Sequence, residues 1–220
     1  MVGVSRWLRV LLGVVLIGVL AAISVNLLGF GGEDGRRSGD VDADPRPVPP
    51  LVMDAYVNAA ARVAEQAPNC AGMSWPILAG VGAVESAHAG GRTLAANGDI
   101  TPQVIGPRLD GSGVGGNVTP FRDTDGGVLD GDLAYDRAVG PMQFLPETWT
   151  TWARDGNDDG TSDPHNIFDA TLGAAAYLCG DAPADLTDRA QMTQAITRYN
   201  RSASYVAEVL AYADSYAANP

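Results

Sequence analysis

One glutamate stands in an unusual setting for its residue type. The chain has 26 acidic residues, and only five of them are glutamates. These are Glu33, Glu65, Glu85, Glu147 and Glu208. Glu85 follows Leu78 by seven residues and Val81 by four, which places its carboxyl on the apolar face of a predicted helix. Desolvation there raises the pKa of a carboxyl, and a carboxyl still protonated near neutral pH can donate a proton to a leaving group. We therefore predict a general acid; the alternative is a last-turn glutamate that points to solvent.

Three other polar residues stand where they could serve a ligand. His88 lies one turn beyond Glu85 and could hydrogen-bond it, or could be structural. Gln143 lies in the apolar string AVGPMQFLP of residues 138–146, so its amide must find partners. Those partners are either loop backbone or an amide or hydroxyl of a substrate. Asn200 follows Tyr199 at a predicted helix end, where a turn residue is the alternative to a binding role.

The segment DGNDDGTSD, residues 155–163, has the order of an EF-hand calcium loop. The twelfth position is Asn166 rather than glutamate, so Asp169 would close a longer loop. The predicted ligands are Asp155, Asn157, Asp159, Thr161 through its carbonyl, Asp163 and Asp169. The alternative is an Asp/Gly turn without a metal. A second acidic run, residues 123–132, lacks this order and is predicted to be a turn or short hairpin.

Helical periodicity and capping residues predict the elements that must hold these side chains. Predicted helices cover residues 51–67, 74–88, 146–154, 167–179, 187–199 and 203–217. Between Arg92 and Asp136 glycine, aspartate and proline dominate, which predicts a long irregular insertion with short strands near Val104 and Val128. Such a length is unusual unless it is functional. The predicted fold class is therefore mainly α, one helical domain over residues 51–220 with this insertion.

The N-terminal residues are predicted to be a membrane anchor. Arg6 and Arg9 precede an uncharged segment, residues 10–32, which spans roughly 34 Å as a helix. The arginines place its N-terminus in the cytoplasm, and a cleaved signal peptide is the alternative. Residues 33–50 form a proline-rich tether that is predicted to be disordered. The folded domain is then expected outside the cytoplasm, where we predict that Cys70 and Cys179 are paired; two unpaired buried thiols are the alternative.

Composition excludes several classes of protein. The net charge is −12, and all 14 basic residues are arginines, so no basic cluster could neutralise phosphates and no nucleic-acid partner is expected. No glycine-rich phosphate loop occurs, and nothing indicates a nucleotide or redox cofactor. We expect a monomer.

Four strings, taken in order, resemble the lytic murein transglycosylases of the membrane-bound B class, most closely an actinobacterial version. They are GAVES at 82–86, AVGPMQFLP at 138–146, the loop from Asp155 to Asp169, and YNRS at 199–202. The resemblance covers residues 51–220 and implies a lysozyme-like helical fold, with a calcium loop whose last ligand comes late. It also implies cleavage of the β-1,4 bond between N-acetylmuramic acid and N-acetylglucosamine in peptidoglycan. The product would be a 1,6-anhydromuramoyl end.

By the same resemblance, Glu85 acts first as acid and then as base. The substrate-binding residues implied are Ser86, Met142, Gln143, Tyr199 and Asn200. One alternative is a hydrolytic muramidase, in which an aspartate such as Asp123, Asp125 or Asp136 activates water. Another is an inactive, calcium-stabilised cell-wall binding module.

Overall fold

The computed structural model describes residues 46–219. Within this range it contains six α-helices at the predicted places. They are α1 (Pro50–Gln66), α2 (Trp75–Ser86), α3 (Pro146–Trp152), α4 (Ile167–Cys179), α5 (Arg189–Tyr199) and α6 (Ala203–Ala218). Prolines occupy the first turns of α1, α2 and α3, where no intrahelical N–H is needed. Side-chain caps begin the others: Asn166 for α4, Asp188 for α5 and Ser202 for α6.

Six short strands form three two-stranded sheets in the described range. β1 (Cys70–Ala71) pairs in parallel with β6 (Ala184–Asp185). β2 (Thr93–Leu94) pairs antiparallel with β3 (Ile100–Thr101). β4 (Ile105–Arg108) pairs antiparallel with β5 (Arg137–Val139), which leads into the AVGPMQFLP string.

The core is built around α2. Every residue from Ile77 to Val84 is buried, because this helix is apolar on all faces and is covered by α1 and α6. Gly80 permits the approach of α6, since a Cβ at this position would lie 2.6 Å from the carbonyl oxygen of Val209. The helix that carries Glu85 is therefore fixed on several sides.

A disulfide joins Cys70 in β1 to Cys179 at the end of α4. The sulfur atoms are 2.06 Å apart, so the predicted pairing is confirmed. The closed loop spans 109 residues, for which chain-entropy arguments give about 4 to 5 kcal/mol of stabilisation.

The predicted fold class, a mainly α lysozyme-like domain preceded by a membrane-spanning helix, was wrong. Helices make up only about 45% of the structure, because much of the chain between α2 and α3 folds into strand pairs and turns. The predicted insertion thus contains β2, β3 and β4. Within residues 46–219 no helix is both long enough and apolar enough to cross a membrane. The predicted anchor, residues 1–32, lies outside the described residues, as does the tether up to residue 45.

One predicted strand in the insertion was correct and the other was not. The strand expected near Val104 is β4. Val128 instead lies in a turn, because the Asp125 carboxylate accepts hydrogen bonds from the backbone N–H groups of Gly127 and Leu129. Carboxylates that bond nearby backbone in this way favour turns over strands.

Candidate functional site

Glu85 lies on the last turn of α2 with its side chain partly buried. The Tyr205 hydroxyl donates a hydrogen bond of 2.6 Å to Glu85 Oε1. Burial raises the pKa of the Glu85 carboxyl to about 8, although the hydrogen bond from Tyr205 lowers it in part. The acid form therefore predominates at neutral pH, as the apolar spacing around Glu85 predicts.

The link between α5 and α6 places two tyrosines near this carboxyl. Asn200 Oδ1 accepts from the Ser202 N–H at 3.0 Å, and Ser202 caps α6 by accepting from the Tyr205 N–H. Tyr199 ends α5 and Tyr205 lies in the first turn of α6, so this capped turn brings both rings toward α2. Burial and the nearby Glu85 carboxyl raise the pKa of each tyrosine well above its ordinary value. Both hydroxyls therefore remain protonated donors.

Sequence reasoning identified Tyr199 but missed Tyr205. The signal available was the cap: Ser202 fixes the first turn of α6, and Tyr205 is the first aromatic residue after it. Its contact with Glu85 joins residues 120 positions apart, so spacing alone could not reveal it.

The AVGPMQFLP string contacts the first of these two tyrosines, Tyr199. The Tyr199 hydroxyl donates to the carbonyl oxygen of Met142 at 2.6 Å. The Met142 side chain is fully buried, so it packs in the core and only its carbonyl reaches Tyr199. Met142 therefore contributes its backbone carbonyl to this site, and its side chain does not take part.

Gln143 has a left-handed backbone, with φ of +50°. Its side-chain amide donates to the Gly140 carbonyl at 2.9 Å. A Cβ on Gly106 would lie 2.8 Å from Gln143 Oε1, so β4 approaches the amide closely because Gly106 has no side chain. The contact with Gly140 is the loop-backbone role that the sequence left open, and the amide keeps a second N–H for another acceptor.

Two further predicted binding residues hold local structure. Ser86 Oγ accepts a hydrogen bond of 2.9 Å from the Ala89 N–H, and the hydroxyl can still donate. Asn200 is buried and forms the turn between α5 and α6.

His88 is buried, and within the described residues both of its ring nitrogens contact tyrosines rather than Glu85. Nδ1 lies 3.0 Å from the Tyr56 hydroxyl and Nε2 lies 2.8 Å from the Tyr216 hydroxyl. Burial, together with the nearby Arg46, lowers the pKa of His88 to about 4. The imidazole is therefore neutral at neutral pH, and the hydrogen bond to Glu85 that its spacing allowed does not form.

The chain around His88 has a strained backbone. Ala87, His88 and Ala89 all have positive φ, at 51°, 60° and 58°. For residues with a Cβ this region costs about 1 kcal/mol or more each. Such strain persists only where surrounding contacts over-determine the conformation, and the two tyrosine contacts of His88 are contacts of that kind.

The predicted calcium loop is closed by hydrogen bonds from its own backbone. Asp169 is fully buried, and its carboxylate accepts from the N–H groups of Gly156, Asn157 and Asp163. Asp155 Oδ2 accepts from Gly160. Asp155 Oδ1 is buried and has no hydrogen-bond partner among the described residues. This one free oxygen suits a cation, whereas the Asp169 oxygens already have partners.

The remaining predicted ligands of this loop hold turns. Asp159 accepts from the backbone N–H and hydroxyl of Thr161, Asn157 Oδ1 accepts from the Asp159 N–H, and Asp163 accepts from the His165 N–H. The calcium site stays a prediction.

Two carboxylates of the second acidic run and one that follows it come together. Asp123, Asp125 and Asp136 each have an oxygen within 4.8 Å of the others. Asp136 bonds the backbone N–H and hydroxyl of Thr124, and Asp123 accepts from Gly126 and Gly127. These hydrogen bonds form the turn that the sequence predicts for this run.

Two surface cavities lie away from Glu85. The larger, of about 490 Å³, lies between the turn at residues 127–131 and residues 162–165; the smaller, of about 220 Å³, lies beside Cys70. Neither is lined by Glu85 or Gln143. The candidate site is therefore defined by the buried contacts of Glu85 rather than by these cavities.

Comparison of the chain with protein-family models, with curated proteins and with solved structures gave no match. Function is therefore inferred from the residues of the site and their geometry.

Proposed function

We propose that this protein is a peptidoglycan lytic transglycosylase that uses Glu85 as its single catalytic carboxyl. The observation that carries the proposal is a partly buried glutamic acid whose pKa is raised to about 8 and which accepts a hydrogen bond from Tyr205. A protonated carboxyl at neutral pH is the group that glycosidic bond cleavage needs as its proton donor. The resemblance of the four strings to the B class suggests which bond is cleaved, namely the β-1,4 bond between N-acetylmuramic acid and N-acetylglucosamine.

The proton is carried in two steps. The Glu85 carboxyl protonates the glycosidic oxygen, so the bond to the muramoyl C1 breaks and the N-acetylglucosamine hydroxyl leaves. The Glu85 carboxylate then takes the proton of the muramoyl C6 hydroxyl as that oxygen bonds to C1. The product is a 1,6-anhydro ring, and Glu85 is again protonated. The Tyr205 hydroxyl stabilises the carboxylate between the two steps, since hydrogen bonds to an ionised acceptor are the stronger kind.

One carboxyl suffices because the attacking hydroxyl belongs to the substrate. A water-using glycosidase needs a second carboxylate, whereas an intramolecular nucleophile is already close and oriented. The muramidase alternative needs Asp123, Asp125 or Asp136 as its base. The hydrogen bonds that these aspartates make within their own loop favour a structural role for them.

We also propose that the domain lies outside the cytoplasm. The disulfide between Cys70 and Cys179 supports this location, because disulfides persist mainly in oxidising compartments. Protein taken directly from cells should resist alkylation at both cysteines until a reductant is added. Rapid alkylation without reductant would contradict the proposed location.

The test of function is product analysis on purified sacculi. The full chain should release muropeptides with anhydromuramoyl ends, which are lighter by one water than the hydrolytic products. Glu85→Gln should release none but still sediment with sacculi, and Glu147→Gln should match the wild type because Glu147 is exposed on the first turn of α3.

Three other results would overturn the proposal. Reducing ends from the wild type would identify a muramidase. Sedimentation of the wild type with sacculi but without any released product would identify a binding module. Full turnover by Glu85→Gln would remove Glu85 from the chemistry.

A further inference from the structure

We propose that His88 is a positioning residue that fixes the last turn of α2 and so holds the Glu85 carboxyl in its buried setting. The inference rests on the proposed catalytic role of Glu85 and adds a residue to that site. His88 would act through the backbone, since among the described residues its ring nitrogens bond Tyr56 and Tyr216 rather than Glu85.

The hydrogen-bond pattern around His88 is consistent with only one arrangement of protons. The Tyr216 hydroxyl donates its hydrogen to the carbonyl oxygen of Arg46 at 3.0 Å. The Tyr216 oxygen must therefore accept from His88 Nε2–H, and Nδ1 is left as an acceptor for the Tyr56 hydroxyl. The neutral imidazole thus links the turn that carries it to two helices, to α1 through Tyr56 and to α6 through Tyr216.

The turn that carries His88 is bonded directly to the end of α2. The Ala87 N–H donates to the carbonyls of Ala83 and Gly82, and the His88 N–H donates to Gly82 at 3.0 Å. Because Ala87, His88 and Ala89 hold left-handed conformations, the turn relaxes if the ring contacts are lost. The residue at the end of that helix, just before the turn, is Ser86, and Glu85 precedes it.

Arg46 also contacts the last turn of α2. Its Nη1 donates to the Ala83 carbonyl at 3.2 Å, and its Nε donates to the Tyr212 hydroxyl at 2.9 Å. The same residue accepts from Tyr216 through its own carbonyl. The last turn of α2 is therefore held both by the turn that carries the imidazole and by the Arg46 guanidinium.

The ionisable groups that face this region come from four elements. Tyr205 and Tyr199 face Glu85 from α6 and α5. Tyr56, Tyr216 and Arg46 surround His88, from α1, α6 and the segment before α1. Protonation of the imidazole would convert Nδ1 into a donor, so the hydrogen bond from the Tyr56 hydroxyl to Nδ1 keeps this direction only while His88 is neutral.

Direct titration of Glu85 tests the proposal without any sugar substrate. The chain has only five glutamates, so labelling of glutamate side-chain carboxyl carbons gives a simple NMR spectrum, in which Glu85→Gln assigns Glu85. The wild-type Glu85 should titrate near pH 8, as its raised pKa indicates. In His88→Ala the midpoint should fall by about one unit or more, toward the ordinary glutamate value, because the loosened turn exposes the carboxyl.

Milder variants keep the test decisive if His88→Ala does not fold. Tyr216→Phe and Tyr56→Phe each remove one bond to the imidazole and should shift the midpoint in the same direction by less. Tyr177→Phe is the matched control, since it keeps the ring that packs on Tyr199 and removes only a hydroxyl that bonds the Arg198 carbonyl rather than His88 or Glu85, and it should titrate as the wild type does.

The network variants are His88→Ala, Tyr216→Phe and Tyr56→Phe. If Glu85 titrates with the wild-type midpoint in every one of them that folds, the positioning role is overturned. A merely structural contact would lower the folded fraction without moving the midpoint. If the midpoint moves as expected while the wild type releases no anhydro product from sacculi, the positioning role stands and the proposed function fails. On glycan, the network variants should lower kcat severalfold and leave KM unchanged, because substrate contacts remain.

Discussion

At the scale of single residues, the Glu85–Tyr205 pair combines two opposite effects on one carboxyl. Burial favours the protonated acid that can donate, and the hydroxyl favours the carboxylate that forms once the proton has left. The balance of the two places the pKa near 8. A change to either residue should therefore shift the pH dependence of the rate of anhydro-product release.

Tyr205→Phe should shift this balance toward the acid. Without the hydroxyl, the pKa of Glu85 rises, so the basic limb of the rate of anhydro-product release should move to higher pH. The maximal rate should fall roughly tenfold or more, because a hydrogen bond to the carboxylate intermediate is lost. A basic limb that moves to lower pH, or that does not move while Tyr177→Phe behaves as wild type, would contradict the assigned contact.

Glu85 also links stability to pH. Its pKa is raised in the folded chain from an ordinary value of 4.5 to about 8, so its contribution to stability is full below the unfolded value and is lost as the pH rises through 8. His88 has a lowered pKa of about 4 against 6.5, so its contribution is full above pH 6.5 and is lost as the pH falls toward 4.

Between pH 6.5 and 9, therefore, Glu85 changes the free energy of unfolding with pH and His88 does not. The free energy of unfolding of the wild type should fall by about 1 kcal/mol or more across this range relative to Glu85→Gln. Urea denaturation at several pH values measures the difference. Parallel pH profiles for the two proteins would show that Glu85 is not protonated in the native state.

At the scale of elements, the sequence predicts those features whose causes are local. Proline in first turns and the caps at Asn166 and Ser202 mark helix starts, and the predicted bounds of α4 agree with the observed ones. The apolar face that carries Glu85 is likewise local, so the raised pKa could be expected.

Features that depend on distant partners could not be predicted in this way. Tyr205 reaches Glu85 across 120 positions, and His88 reaches Tyr216 across 128. The pairing of β4 with β5 joins the two ends of a glycine-rich segment, and the local pattern that predicts a strand near Val104 does not reveal its partner. The fold class failed for the same reason, since strand pairs of two to four residues carry no periodic signal.

The packing of α1 on α2 depends on a glycine. A Cβ on Gly82 would lie 1.9 Å from the Tyr56 hydroxyl, within the contact that also orders His88. Gly82→Ala should destabilise the protein by about 2 to 3 kcal/mol through overpacking, measured by denaturant unfolding. Tyr56→Phe in the same chain should recover part of this loss, because the two residues contact each other. A tolerated Gly82→Ala would contradict this packing of α1 on α2.

At the scale of the whole molecule, the loop of residues 155–169 connects distant parts. Arg62 of α1 donates to the carbonyls of Gly156 and Asp155 and to the Asp158 carboxylate, and Asp169 of α4 closes the loop. A cation bound here only in the native state would stabilise the entire domain.

Calcium chelation should therefore lower the melting temperature of the full chain. Asp155→Asn should abolish the difference between chelated and calcium-loaded protein, because Asp155 Oδ1 is the free buried oxygen of the loop. Asp125→Asn, in the other acidic run, should leave that difference intact. An identical melting curve with excess chelator and with calcium would remove the predicted site, and loss of the difference only in Asp125→Asn would move it to the cluster at Asp123.

The pH dependence of anhydromuramoyl release tests most directly whether a protonated Glu85 cleaves the glycan. The rate of release from sacculi by the wild type should fall above pH 8 as the carboxyl ionises. Glu85→Gln should be inactive at every pH, with Glu147→Gln as the matched active control. A wild-type rate that stays constant or rises well above pH 8, or anhydro product from Glu85→Gln, would contradict the account.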